Sequence, residues 1–215
     1  LTKILLVRHG RTTLHHEDRF WGSTDIPLNN TGIRQAGRLR ERLTGEKFYN
    51  IYASTLERAR ATAEIIAAPH SLDVTACPEL CECNFGFAEG LTFDEIKRLH
   101  ADLARDLSDW KAAEFPGGES LTDMNTRLQP FLARLAGHRP EDTVLVVAHG
   151  GPIRLLICNL LGLAMKYWLN LRIDMASLSI VETYPQGTIL TLLNDVSHLE
   201  DKDSHDAHFR FLERR

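Results

Sequence analysis

Two histidines stand where an apolar run gives way to glycine. Ile4-Leu5-Leu6-Val7 leads into Arg8-His9-Gly10, and Val144-Leu145-Val146-Val147 leads into Ala148-His149-Gly150-Gly151. In an α/β protein chemistry is placed at the carboxyl ends of buried strands, so two such junctions predict two histidines facing one site. Arg8 adjoins the first histidine, and Arg58 falls in the opening turn of another strand-to-helix junction. A neutral imidazole is a nucleophile, and neighbouring guanidinium groups favour that neutral form while binding a tetrahedral dianion. Phosphoryl transfer requires in-line positioning and neutralised equatorial oxygens. Arg8, Arg58, His149 and the Gly150 N–H at a helix N-terminus would supply these around His9. A leaving alkoxide also needs a proton. Glu82, in the apolar, thiol-rich stretch Leu80-Cys81-Glu82-Cys83, is the candidate donor, since a partly buried carboxyl close to a phosphate stays available as an acid.

Taken singly, each residue has an ordinary explanation: a satisfied core histidine, a helix-surface arginine, a salt-bridging glutamate. Their co-occurrence at strand ends separates them from that background. A zinc site built from His9, His15, His16 and His149 is the rival reading. It lacks a His-x-x-x-His pair on a helix and a carboxylate at ligand spacing, so no metal and no cofactor is expected.

The elements that must position these residues follow from patterning. Residues 11–30 read as a long polar loop containing Gly22, Pro27 and the aromatics Phe20 and Trp21, and loops of that length are often functional. Asn30-Thr31 is expected to cap a helix through Ile33, Ala36, Leu39 and Leu43, ended by Gly45. Asn50 to Ala53 reads as a strand, with Ser54-Thr55 capping the helix that carries Arg58. Val74 and the segment 79–83 suggest a further short strand, and Thr92-x-x-Glu95 is a capping box for a helix reaching about Trp110. Pro116-Gly117-Gly118-Glu119-Ser120 breaks the chain and caps a helix that Pro130 should kink or interrupt. A strand at 144–148, a helix at about 152–162 and strands near 176–183 and 188–193 complete the pattern. This alternation predicts an α/β fold: a single three-layer α/β/α domain over residues 1–199, with a mostly parallel sheet and helices on both faces. A charged, His-rich tail, 200–215, follows.

The chain of 215 residues carries a net charge of −4, with basic and acidic residues interspersed. That balance argues against a nucleic-acid or membrane partner and for a small-molecule substrate. Cys77, Cys81, Cys83 and Cys158 match no zinc or redox spacing and are expected to be reduced thiols, which points to the cytoplasm. No apolar stretch reaches membrane-span length. The first residues already read as a core strand that leaves no room for a signal peptide, and the start at Leu1 reads as a processed one. The apolar stretch from Leu160 to Leu171 could cover either the sheet or a second copy of the chain, which leaves a homodimer open.

From about residue 3 to residue 199 the chain resembles the histidine phosphatase superfamily, in its phosphoglycerate-mutase-like branch. The resemblance rests on Leu6-Val7-Arg8-His9-Gly10-x-Thr12 and on Gly22-Ser23-x-Asp25-x-Pro27-Leu28-x-x-x-Gly32-x-x-Gln35-Ala36. It continues through Ser54-x-Leu56-x-Arg58-Ala59-x-x-Thr62-Ala63, Glu82-x-x-Phe85-Gly86-x-x-Glu89-Gly90 and Ala148-His149-Gly150-Gly151. The resemblance implies a phosphomonoesterase with His9 as the phosphorylated nucleophile, Arg8, Arg58 and His149 holding the phosphate, and Glu82 as proton donor and acceptor. It also implies that Trp21, Gly22 and Ser23 border the substrate, with Thr12, His15 and Cys83 as further phosphate or substrate contacts. The family commonly has Asn five residues after the glycine of Arg-His-Gly. His15 stands there instead, which implies altered phosphate affinity or pH dependence. Mutases of the family carry an insertion with paired arginines, whereas residues 92–115 hold only Arg98 and Arg105, which implies hydrolysis. Phe115 to Ser120 and Leu193-Asn194-Asp195-x-Ser197-His198-Leu199 are most similar to α-ribazole-5′-phosphate phosphatases of cobalamin biosynthesis, although broad-specificity relatives share them. Trp21, Phe85 and Trp110 are available to stack on an aromatic base, with core packing the competing role for Phe85 and Trp110.

Overall fold

The computed structural model describes residues 1–14, 19–108 and 114–199. The proposed tail at 200–215, and His15, His16 and Trp110, lie outside the described residues. In chain order the elements are β1 (Thr2–Arg8), α1 (Asn30–Leu43), β2 (Asn50–Ala53), α2 (Glu57–Ala67), β3 (Val74–Ala76), α3 (Phe93–Leu99) and α4 (Ala101–Ser108). They continue with α5 (Leu121–Ala136), β4 (Thr143–Ala148), α6 (Gly150–Leu161), β5 (Leu178–Tyr184) and β6 (Gly187–Asp195). The six strands form one sheet in the order β3-β2-β4-β1-β5-β6.

Strand alternation divides the core into two layers, because successive side chains point to opposite faces. Ile4 and Leu6 of β1, with Val144 and Val146 of β4, pack against Met124, Leu128 and Phe131 of α5 and Ile153 and Ile157 of α6. Leu5 and Val7, with Leu145 and Val147, pack against Leu39 and Leu43 of α1 and Ala59, Ala63 and Ile66 of α2. The result is the three-layer α/β/α arrangement that the patterning predicts. β3, β2, β4 and β1 run parallel, whereas β5 is antiparallel to β1 and to β6. A tight Tyr184–Gly187 turn joins β5 to β6, and a connection this short requires antiparallel neighbours.

Several boundaries differ from the sequence expectations. The cap of α1 is Asn29, whose Oδ1 accepts the Gly32 N–H at 2.8 Å while its Nδ2 donates to the Thr12 carbonyl. The helix ends at Leu43, ahead of Gly45. Residues 78–80 form a 3-10 turn instead of a strand, since Pro78 has no N–H for a sheet ladder. The capping box at Thr92 and Glu95 is present, but the helix breaks at His100 and resumes as α4. Pro130 lies on the exposed face of α5 and leaves it continuous. Leu160, Leu161, Met165, Leu169 and Leu171 pack on the α5/α6 layer, while Leu163 and Tyr167 are exposed. No helix among the described residues is long and apolar enough to cross a membrane.

Candidate active site

β1 and β4 are parallel neighbours paired from Lys3 with Thr143 to Arg8 with Ala148, so the residues that follow them emerge side by side. The rings of His9 and His149 lie 5.0 Å apart, both buried. β2 ends one register step away, where the Ser54 N–H donates to the Val147 carbonyl, and the Ser54 hydroxyl lies 2.8 Å from His149 Nε2. Ser54 therefore serves the site instead of capping α2. The N-cap of α2 is Leu56, which has no side-chain cap, and its N–H donates to Ser54 Oγ.

The ring nitrogens of the two histidines have different partners. His9 Nδ1 is 2.8 Å from the Gly10 carbonyl, which can only accept, so Nδ1 carries a proton, and in the neutral ring the lone pair is at Nε2. Burial pushes His149 well below the usual histidine value, and the charges of Arg58 and Arg8 push it further, so its ring is neutral at neutral pH. His149 Nε2 faces the Ser54 hydroxyl, and its Nδ1 is buried with no hydrogen-bond partner among the described residues. A buried ring nitrogen without a partner beside a second histidine is available to complete its bonding with a ligand.

Two arginines flank the pair. Arg8 Nη1 donates to the Ile173 carbonyl at 2.7 Å, and its guanidinium lies beside Gly150, the first residue of α6. Arg58, nearly fully buried, donates to the carbonyls of Thr24 at 2.8 Å and Gly22 at 2.6 Å. Burial lowers its pKa, with the negative charges of Glu82 and Asp25 opposing that shift. The loop it grips is pinned by a residue given no separate role in the sequence reading. Glu89 accepts hydrogen bonds from the backbone N–H groups of Gly22, Ser23, Thr24 and Phe85 and from the hydroxyls of Ser23 and Thr24. Burial by itself would raise the Glu89 pKa. The bonds from Thr24, Phe85, Ser23 and Gly22 outweigh it and hold the carboxyl below the usual glutamate value. Gly22 can only be glycine here, because a Cβ would sit 1.8 Å from the Cys83 carbonyl.

Glu82 reaches the opposite side of the cradle. Its Oε1 accepts the Cys83 N–H at 3.0 Å and its Oε2 accepts the Gly151 N–H at 3.2 Å, at the N-terminus of α6. A Cβ on Gly151 would come within 2.4 Å of that carboxyl, so glycine lets the carboxyl approach the helix end. Arg8, His9, Arg58, Glu82 and His149, together with Gly150 and the Trp21-Gly22-Ser23 loop, are thus brought together.

Cys83 is buried, its Sγ facing the carbonyls of Asn84 and Glu119, and burial pushes the thiol pKa strongly up. Phe85 packs edge-on with Phe20 and Phe115, at 5.2 and 4.9 Å between ring centroids, the core role that competes with stacking on a base. Thr12 is buried, and its backbone bridges to Leu28. His15 lies outside the described residues.

The C-terminal motif has a structural position behind His9. The Ala176 N–H donates to the His9 carbonyl, and the Ala176 carbonyl accepts from His198 Nε2 at 3.0 Å. Asn194 and Asp174 exchange two further bonds, and Arg42 pairs with Asp195 and lies 3.0 Å from His198 Nδ1. Residues 194–198 thus strap the 173–177 turn against the strand end that carries Arg8 and His9.

The chain belongs to the histidine phosphatase superfamily, branch 1, which it matches over residues 4–196, and it is a phosphatase, a phosphoric monoester hydrolase. It is 30% identical to phosphoserine phosphatase 1 of Hydrogenobacter thermophilus, over 93% of this chain and 95% of that one. It is 31% identical to the adenosylcobalamin/α-ribazole phosphatase of Escherichia coli, over 89% and 95% of the two chains. The crystal structure of the α-ribazole phosphatase from Shigella flexneri superposes with a TM-score of 0.84 at 29% identity, covering 90% of this chain and 96% of that one.

Proposed function

We propose that the protein hydrolyses a small phosphorylated metabolite in two steps, without a metal, through a phosphohistidine at His9. In the first step His9 Nε2 attacks phosphorus, the ester P–O bond breaks, and the leaving oxygen takes its proton from the Glu82 carboxyl. In the second, water attacks the phosphohistidine, Glu82 removes its proton, the P–N bond breaks, and inorganic phosphate departs. Arg8, Arg58 and the Nδ1 donor of His149 would neutralise the equatorial oxygens throughout. The observation that carries this reading is the pair of buried rings 5.0 Å apart: His9, whose Nδ1 is held by the Gly10 carbonyl, and His149, whose buried Nδ1 has no partner among the described residues.

α-Ribazole 5′-phosphate is the first candidate substrate, supported by likeness to the Escherichia coli and Shigella flexneri proteins, and it would place the reaction in cobalamin biosynthesis. L-Phosphoserine is the second, supported by a relative of similar identity. Metal-free phosphate release is to be measured for wild type and His9→Ala on α-ribazole 5′-phosphate, L-phosphoserine, fructose 2,6-bisphosphate, 3-phosphoglycerate and p-nitrophenyl phosphate. A strong preference for α-ribazole 5′-phosphate that vanishes in His9→Ala is expected. An even, His9-dependent spread would remove the cobalamin assignment and keep the phosphatase, and full turnover by His9→Ala would refute the mechanism.

A further inference from the structure

The segment that carries Glu82 lies outside any strand or α-helix, between two 3-10 turns, Pro78–Leu80 and Gly86–Ala88. Its backbone is gripped from behind by α5. Arg127 Nε and Nη2 donate to the two carboxyl oxygens of Glu119 at 2.7 and 2.9 Å. Its Nη1 donates to the carbonyls of Glu79 at 2.8 Å and Cys81 at 3.0 Å, and Nη2 donates to the carbonyl of Glu82 itself at 3.4 Å. All five N–H groups of the guanidinium are thereby engaged. Glu119 closes the ring, since Oε2 also accepts the Asn84 N–H and the Glu119 N–H donates to the Asn84 carbonyl.

We infer that Arg127, paired with Glu119, is a positioning residue for the proton transfers of Glu82: it fixes the main chain from which that carboxyl projects. The inference rests on the acid and base role given to Glu82 above. As a partly exposed ion pair alone, Arg127 and Glu119 would be worth little. Their effect comes from connecting residues 79, 81, 82, 84 and 119 through one planar fork, a geometry that the point charge of lysine does not reproduce. The same contacts give a function to Glu119 of the 115–120 motif that is unrelated to the choice of leaving group.

The test compares kcat/KM, which reports phosphorylation of His9 and not the later hydrolysis, on two esters. Glycerol 2-phosphate has an alkoxide leaving group that needs a proton, whereas p-nitrophenyl phosphate does not need one. Arg127→Gln and Arg127→Lys are expected to lower kcat/KM for glycerol 2-phosphate by about 10–100-fold, the scale of a misplaced general acid. They should leave p-nitrophenyl phosphate within about 3-fold, and in a Glu82→Gln background Arg127→Gln should add less than about 3-fold further, because both act on one step. Vanadate inhibition should not move. Equal losses on both esters, or losses that multiply with Glu82→Gln, would overturn the inference. Arg127→Lys, which keeps the charge, decides if Arg127→Gln does not fold. If Glu82→Gln alone leaves glycerol 2-phosphate turnover unchanged, it is the reading of Glu82 that fails.

Discussion

Replacing Glu89 with glutamine tests how the phosphate cradle is held. The carboxylate accepts three hydrogen bonds at Oε1, from Ser23 N, Ser23 Oγ and Phe85 N, and three at Oε2, from Gly22 N, Thr24 N and Thr24 Oγ1. A glutamine amide keeps one of these oxygens and turns an NH2 group toward the other three donors. Ser23 and Thr24 are exposed and regain water, so the loss falls on the part-buried N–H of Gly22 or Phe85. One charge-assisted bond to a part-buried donor is worth about 1.5–3 kcal/mol. If that loss is expressed as release of the Gly22 and Thr24 carbonyls from Arg58, orthovanadate should bind about 10–150-fold more weakly to Glu89→Gln, at 1.4 kcal/mol per decade. Competitive inhibition by vanadate is the assay, with the melting temperature as a check that the fold persists. The effect should also appear in wild type at acid pH. The Glu89 pKa is depressed in the folded protein, so its contribution is present above the unfolded glutamate value of about 4.3 and is lost as pH falls through the lower folded value. A vanadate inhibition constant within 2-fold of wild type would refute the reasoning.

Ser54→Ala removes the hydroxyl that fixes His149, leaving the buried ring without its Nε2 partner. With a buried unsatisfied group costing about 1–3 kcal/mol, the melting temperature should fall by several degrees and kcat/KM by up to about 150-fold; retained activity would show that Ser54 does not orient the His149 ring. His198 is held at about 4 by burial and by the charge of Arg42. Because that folded value lies below the unfolded one, the strap's contribution is complete above the ordinary histidine pKa and declines as pH falls toward 4. The melting temperature should therefore drop between neutral pH and pH 4.5, more steeply for wild type than for His198→Asn; parallel curves would count against a role for His198.

How much of this was legible in the sequence depended on distance along the chain. The two strand-to-histidine junctions were plain because apolar run, histidine and glycine are contiguous, and the parallel pairing of β1 with β4 then fixes where His9 and His149 meet. Arg58 was legible for the same reason, in the first turn after β2. Ser54 was misread because a serine before a helix ordinarily caps it, and only the neighbouring strand end supplies the histidine that claims its hydroxyl. Glu89 and Arg127 act across 45 to 67 residues of sequence on backbone groups, which leave no trace in residue type. The two motifs that suggested a particular leaving group pack behind Glu82 and behind His9, so their residues describe the scaffold of the cradle. The break at His100 was hidden because apolar spacing continues on both sides of it.

The central claim is a phosphate carried by His9. Wild type mixed with 32P-labelled p-nitrophenyl phosphate and quenched within milliseconds should yield a labelled protein whose phosphate survives alkali and is released by acid, and His9→Ala should yield none. Label that persists in His9→Ala, or turnover by wild type with no labelled protein at any quench time, would contradict it.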